Sequence, residues 1–581
     1  MYRTSERDQY ESFRFDLSLL PFGRKDSLLA ILYEKNGLYI NRFTKDYPVQ
    51  THAATEFHPK AIQFWTGLSE KPTPVINKAY PDQVTLSDGK TSAAFCFDGK
   101  DALRFLGEGE GMTFIPGPTD GNATFVDLQD GTVLFSSLLE GEFLFVPLKG
   151  SLSLNGQRLS AIPEDGCFET AVLFGLCEPQ PRERYRDFGS CADESWESYL
   201  AWYRQYPETD PEYEPLKKTA AYGVWICCTL LPNAPQGYIP LYCRFDSAFC
   251  WQGIYHALGV VNNPDTASYI MMSIFQYQDA HGQLADLVDD RNINYLSTKP
   301  PVQGLTFLNL YARLGEKWTA KHYEQMYEPF RRWYQWWMEC RDTDRDGIPQ
   351  YNQGCESAVD TSAMFAKGVP VECPDLIAYM ALMAESLQVM AEKLNKPQEA
   401  LHWRAESARL VETLIREFWN GERFVARVSG SHEIVETDEV DVYTPIILGK
   451  RLPEDILVKL IRDLKDPEQY MTPIGFRHAP ARAKDFMRGV VGGFVQIKFA
   501  IGLHDAGEIT LAREILEKYC EINLRLGPSL GYHEKDVGKT FDPDKPGNRL
   551  GMYSALACGV YLAGIVLIRE WTEEINRNGR V

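Results

Sequence analysis

The chain has 581 residues, 44% of them apolar and 12% aromatic. That excludes a wholly disordered or collagen-like polymer, and at about 150 residues per domain it allows roughly two to four domains. Sixty basic against 80 acidic residues give a formal charge of -20. This argues against a nucleic-acid partner or an anionic membrane surface, both of which call for clustered Lys and Arg, and it suits neutral ligands.

From the N-terminus, Met1 to Asp8 is polar and charged, so no signal peptide is expected. Leu28 to Tyr33 and Leu38 to Phe43 flank Asn36-Gly37, a hairpin signal. Later runs end at Asp88-Gly89, Asp98-Gly99, Asp130-Gly131, Glu140-Gly141 and Asn155-Gly156. Strands recurring at this spacing predict an antiparallel β-sandwich over residues 1–190.

Beyond residue 190 the period becomes helical. Helices are predicted at Glu214 to Leu230, Trp251 to Val260, Thr266 to Gln278, Val302 to Leu314, Trp318 to Arg341, Pro374 to Leu394, Pro397 to Trp419, Pro453 to Leu464, Phe486 to His504 and Glu508 to Leu524. Residues 420–445 read as a strand-rich excursion. Leu550 to Ile568 carries no charge and approaches the length of a membrane span. No other segment resembles a span, so it reads as a buried helix. Some helices are apolar all round and others are charged on one face. That pattern predicts two concentric helical layers, an (α/α)-barrel over residues 191–581. Thirteen scattered cysteines without a C-x-x-C pair argue against a zinc framework or a disulfide scaffold, and for reduced thiols in a cytoplasm.

In such a barrel the loops at one end form a cup, and several connecting loops here are long. Gly354 to Ser362 places Glu356 and Asp360 four residues apart, in reach of acid/base work or of helix capping. Tyr532-His533-Glu534 supplies a second carboxylate before the final helix. The segment Arg244-Phe245-Asp246 to Trp251-Gln252 precedes an apolar helix; its Trp can floor a sugar or belong to the core. His256 on that helix reads as a core histidine. Arg488, before Gly489, can pair with a site carboxylate or bond hydroxyls. Asp342, Asp344 and Asp346 with Gly347 open a calcium-loop pattern, but Gln353 stands where a bidentate Glu is needed. A turn that positions the Glu356 loop is the expected reading. P-loop, G-x-S-x-G and H-E-x-x-H signatures are absent.

The order of these motifs resembles glycoside hydrolase family 63 and its trehalase-like, mannosylglycerate hydrolase-like relatives. Trp251-Gln252 looks like their Trp-Asp helix start, and Lys299-Pro300-Pro301 is similar to their Gln/Lys-Pro-Pro. Glu356-Ser357-Ala358-Val359-Asp360-Thr361-Ser362 resembles Glu-Ser-Gly-x-Asp-Asn-Ser, where the Asp is the general acid. Phe418 to Arg427 is similar to their Phe-Trp turn and following strand, and Phe486-Met487-Arg488-Gly489 to Tyr-Trp-Arg-Gly. Tyr532-His533-Glu534, followed by Phe541-Asp542-Pro543, looks like the loop with the general base. Tyr553-Ser554-Ala555-Leu556 sits where relatives have Trp-Ser-Ala-Leu. The resemblance spans about residues 215–568. It implies an N-terminal antiparallel β-sandwich followed by an (α/α)6 barrel, and inverting hydrolysis of an α-linked gluco- or manno-oligosaccharide or small α-glycoside.

On that resemblance Asp360 is the acid and Glu534 the base. Burial and repulsion from Glu356 are expected to raise the Asp360 pKa. Trp251 and Tyr532 contact the sugar ring. Arg244, Asp246, Gln252, Glu356 and Arg488 bind hydroxyls. No metal or organic cofactor is needed. Gln252, Ala358, Thr361 and Tyr553 depart from the family pattern and alter sugar recognition more than the reaction. A sugar epimerase or lyase on the same barrel, or a carbohydrate-binding protein without catalysis, are the rival readings.

Overall fold

The computed structural model describes residues 10–34, 37–42, 60–69, 76–118, 120–175, 181, 184–231, 233, 237–242, 247–359, 362–483, 489–540 and 554–579. The Asn36 turn, Arg244, Asp246, Asp360, Thr361, Arg488, Phe541 to Pro543 and Tyr553 lie outside them.

The β-rich part forms a seven-stranded and an eight-stranded antiparallel sheet. The expected hairpin pairs Leu29 with Arg42 and Glu34 with Gly37. Alternate side chains of each sheet point inward, where phenylalanines interdigitate. Phe64 meets Phe95 and Phe105 edge-on, and Phe114 meets Phe105 and Phe145. These contacts cross from one sheet to the other, so the pair is a sandwich. The last strand ends at Phe174, and the first helix, Phe188–Tyr203, lays Phe188, Cys191 and Ala192 on Ala94 and Cys96. Asp187 caps that helix by accepting from Ser190 N.

Among the described residues, twelve further helical segments alternate between two layers. Glu214–Cys227, Pro264–Met272, Ala320–Cys340, Pro397–Phe418, Glu454–Lys465 and Ile509–Leu526 form the outer layer. Gly253–Ala257, Gln303–Leu314, Pro374–Lys393, Val440–Arg451, Gly493–Asp505 and Ala555–Asn578 form the inner one. Each inner segment packs on the next, and Ala555–Asn578 closes the ring against both Gly253–Ala257 and Gly493–Asp505. This is an (α/α)6 barrel.

The layers follow from composition. Ten of the thirteen residues in Gly493–Asp505 are buried, while Glu454–Lys465 buries only Ile456, Leu457, Leu460 and Leu464 on one face. The uncharged stretch belongs to Ala555–Asn578, whose most apolar window is 83% buried inside the barrel wall. Helix-entry chemistry marks several starts: Asn263 and Ser554 cap with their side chains, and prolines open Pro264–Met272, Pro374–Lys393 and Pro397–Phe418.

Two expectations are corrected. Val440–Arg451, read as part of a strand-rich stretch, is an inner segment of tight 3₁₀ turns. Pro445 and the left-handed Gly449 interrupt any regular helical period there, which hid it. The helix expected from Phe486 starts at Gly493 instead. Val490–Gly492 is a strand, as two β-branched residues before a Gly pair favour.

Connections from inner to outer segments are short, such as Leu394 to Lys396 and Leu452 to Pro453. Successive helices are therefore antiparallel. All outer-to-inner connections then emerge at the same end, and these are the long ones. Residues 228–252, 273–302, 341–373, 419–439, 466–492 and 527–554 make up that end.

Candidate active site

Among the described residues, Trp251, Gln252, Glu356, Tyr532 and Glu534 lie on those long connections, so the barrel gathers them at one end. In the 341–373 connection, Glu356 is fully buried. Arg341 Nη2 donates to its Oε1 at 2.7 Å, and Asn352 N donates to its Oε2 at 2.6 Å. Ala358 adopts φ 64°, a left-handed position where the relatives' motif has Gly. Lys299 Nζ donates to Cys355 O at 2.5 Å and lies 3.7 Å from Asp286, and Asp286 O accepts from Cys250 N. Lys299 thus ties the Glu356 loop to the segment entering Trp251.

Past Asp360 the loop is gripped from the other side. The Ser362 hydroxyl donates to Glu439 Oε2, and Ala363 N donates to Glu439 Oε1 at 2.8 Å. Glu439 is 2% exposed. His478 Nε2 lies 3.7 Å from Glu439 Oε1, and His478 Nδ1 lies 3.4 Å from Asp441 Oδ2. Lys498 Nζ donates to Asp441 Oδ1 at 3.2 Å and to Thr444 Oγ1 at 3.1 Å. Burial pushes the Asp441 carboxyl up, but Lys498 and His478 outweigh it and hold it below its ordinary range. Nearby Asp375 accepts from the Tyr351 hydroxyl at 3.0 Å, and burial pushes it up to about 7.

Glu534 follows the strand Gly531–His533, which pairs with Val490–Gly492 in the register Val490 to His533. Its N–H donates to Gly489 O at 2.6 Å. Gly489 has φ 77°, and a Cβ there would sit 2.8 Å from the His533 ring. Only glycine fits that turn. Arg477 Nη1 donates to Glu534 Oε2 at 2.7 Å, and its remaining donors go to Gln469 O and Pro467 O. The Glu534 carboxylate is 19% exposed and the Arg477 side chain 7%. A guanidinium bonded to a carboxylate in this way fixes the direction in which the carboxylate points.

The two loops share one support. His478 N donates to Val490 O, and Val440 N donates to His478 O, both at 2.7 Å. The adjacent residues Arg477 and His478 therefore face Glu534 and Glu439 respectively.

Of the expected sugar contacts, Trp251 is 8% exposed and meets Phe494 edge-on at 5.3 Å and Tyr255 at 6.0 Å. Three others have partners within the protein. Tyr532 is a core residue: it packs on Tyr519, and its hydroxyl donates to Gly527 O. Gln252 is 2% exposed, and with its amide turned over the oxygen accepts from Tyr242 N at 2.8 Å and Phe249 N at 3.2 Å. In that orientation it joins two points of its own connection. Glu356 accepts from Arg341 at one oxygen and from Asn352 N at the other. His256 is the buried histidine expected, with Nε2 2.7 Å from the Tyr206 hydroxyl; burial draws its pKa down to about 3.

Arg477, Glu439 and His478 were not singled out from the sequence. Their signal was weak: one Arg-His pair after a short strand, and a Glu within an irregular stretch.

In the Asp342 loop, Asp342 itself accepts from Asp346 N and Gly347 N, closing a turn. Among the described residues, Asp344, Asp346, Glu372 and His432 bring ligand atoms within 4.8 Å of one another and could hold a metal ion. Arg427 already bridges Asp346, Glu372 and Glu417 there, and burial pushes Glu372 up to about 7.

Residues 246–544 match the model of the mannosylglycerate hydrolase MGH1-like glycoside hydrolase domain. No curated protein matches the chain. Among solved structures, a family 63 mannosylglycerate hydrolase from Thermus thermophilus is similar, at 16% identity and a TM-score of 0.48 over 60% of this chain and 99% of that one. A neutral trehalase from Saccharomyces cerevisiae shows 12% identity and a TM-score of 0.45 over 58% of this chain and 73% of that one. A sialidase shows 12% identity and a TM-score of 0.49 over 83% of this chain and 55% of that one. The model match spans more than half of the sequence, and the chain belongs to the mannosylglycerate hydrolase MGH1-like family of glycoside hydrolases.

Proposed function

We propose that this glycoside hydrolase inverts the anomeric centre of an α-linked gluco- or manno-oligosaccharide or small α-glycoside. Asp360 donates its proton to the glycosidic oxygen as the C1–O bond breaks. Glu534 takes a proton from the water that forms the new C1–O bond on the opposite face. Inversion requires about 6.5–9.5 Å between the two carboxyl groups, to seat that water. The observation that carries the reading is Glu534. An Arg477-paired, partly exposed carboxylate stands on the same barrel end as the Asp360 connection, in a chain of this family. Trp251 on that end supplies an aromatic face. A cytoplasmic site of action fits the described cysteines, all of which are free thiols.

The test is hydrolysis of α-linked gluco- and manno-disaccharides, followed by NMR for the anomer first released. The β-anomer should appear first, and Asp360→Asn and Glu534→Gln should each abolish turnover. Release of the α-anomer would overturn inversion. Turnover surviving either substitution would move the catalytic assignment elsewhere.

A further inference from the structure

We infer that His533 is the second ligand of the hydrolytic water and holds it against Glu534. This rests on the reading of Glu534 as the general base. Side chains alternate along the strand Gly531–His533, and Tyr532 takes the core side, so half-buried His533 points away from the core. Its ring is fixed by the turn that follows. Lys535 N donates to His533 Nδ1 at 3.1 Å, and His533 N donates to Asp536 Oδ2 at 2.7 Å. A ring nitrogen that accepts carries no proton, so the ring is neutral with its proton on Nε2. Among the described residues that Nε2–H has no acceptor. Glu534 Oε2 is taken by Arg477, and Oε1 has no donor among the described residues.

The donor and the acceptor meet over Gly489. A Cβ built on that glycine would lie 2.8 Å from His533 Nε2 and 3.1 Å from Glu534 Oε1, so the two atoms are at most about 6 Å apart. No direct bond joins them. Hydrogen bonds reach about 2.7–3.2 Å, so a single water spans such a pair. That water accepts from Nε2–H with one lone pair and donates one O–H to Oε1. Its second lone pair is left for C1. As the new C1–O bond forms, the O–H proton passes to Glu534, and the leaving group departs with the electron pair of the bond it made to C1. His533 keeps its proton throughout. It orients the water, while Arg477 orients the base.

The test uses α-glucosyl and α-mannosyl fluorides, whose fluoride leaves without a proton donor, so that water activation is read by itself. It compares wild type, His533→Phe, His533→Gln, Glu534→Gln and the double variant His533→Phe with Glu534→Gln. Phe keeps the ring and removes both nitrogens, whereas Gln offers an amide N–H near the Nε2 position. For His533→Phe we expect kcat to fall about 10- to 100-fold with KM changed less than about threefold. His533→Gln should fall about 3- to 10-fold, and it carries the comparison if His533→Phe does not fold. Because both residues act on one water, the double variant should be within about twofold of Glu534→Gln. Losses that multiply in the double variant would overturn the inference. So would wild-type kinetics in His533→Phe, or a tenfold rise in KM with kcat kept, which would make His533 a sugar contact. Wild-type turnover by Glu534→Gln would instead remove the base assignment, and the inference with it.

Discussion

Arg477 and Glu534, 57 residues apart in sequence, meet at 2.7 Å on the open end of the barrel, with the guanidinium nearly buried and the carboxylate partly exposed. One carboxylate oxygen is tied to Arg477, which sets the direction of the other. Arg477→Met should reduce kcat by about 100-fold or more, the range for a misplaced general base. It should cost about 2–3 kcal/mol in urea unfolding, since one partner of a largely buried pair is removed. Arg477→Lys keeps the charge but not the fork and should recover part of both. Wild-type kcat in Arg477→Met would separate this pair from the reaction.

Glu356 and Arg341 form a buried pair within the 341–373 connection, with the Glu356 side chain 1% exposed. Either single change to Met should destabilise the fold by about 3 kcal/mol, because the remaining charge is buried alone. The double change should cost less than the sum of the two. A double-mutant cycle in urea would measure the coupling, and additive losses would show that the two groups do not depend on each other.

Tyr532→Phe removes only the hydroxyl bonded to Gly527 O. The expected cost is about 1 kcal/mol of stability, with kcat/KM within about twofold of wild type. A tenfold rise in KM would return Tyr532 to the sugar site.

His256 links protonation to stability. Its ordinary value of 6.5 is drawn down to about 3 in the fold by burial. The unfolded chain therefore binds more protons between these two values. Stability from this site is complete above about 6.5, falls as pH drops through that window, and the loss levels off below about 3. Unfolding midpoints measured from pH 8 to 4 should fall less steeply for His256→Gln than for wild type. Parallel slopes would show that other groups carry the acid sensitivity.

The sequence by itself determined the order of the layers and which connections are long. Turn dipeptides and alternating phenylalanines specify strands locally, and the difference between all-apolar and one-faced helices marks inner and outer positions. Glu356, Asp360 and Glu534 could be singled out as candidates because their motifs are contiguous. Val440–Arg451 was not, since Pro445 and Gly449 break the period by which a helix is recognised. Only the tertiary structure decided which polar groups find partners within the chain. Tyr532, Gln252 and Glu356 have the right chemistry for a sugar, but their atoms are taken by Gly527, Tyr242, Phe249, Arg341 and Asn352. Arg477, Glu439 and His478 gain their roles from partners 57, 77 and 37 residues away along the chain, brought within reach by barrel closure. Hydrogen bonds form between atoms that meet in space, and spacing along a chain does not record those meetings.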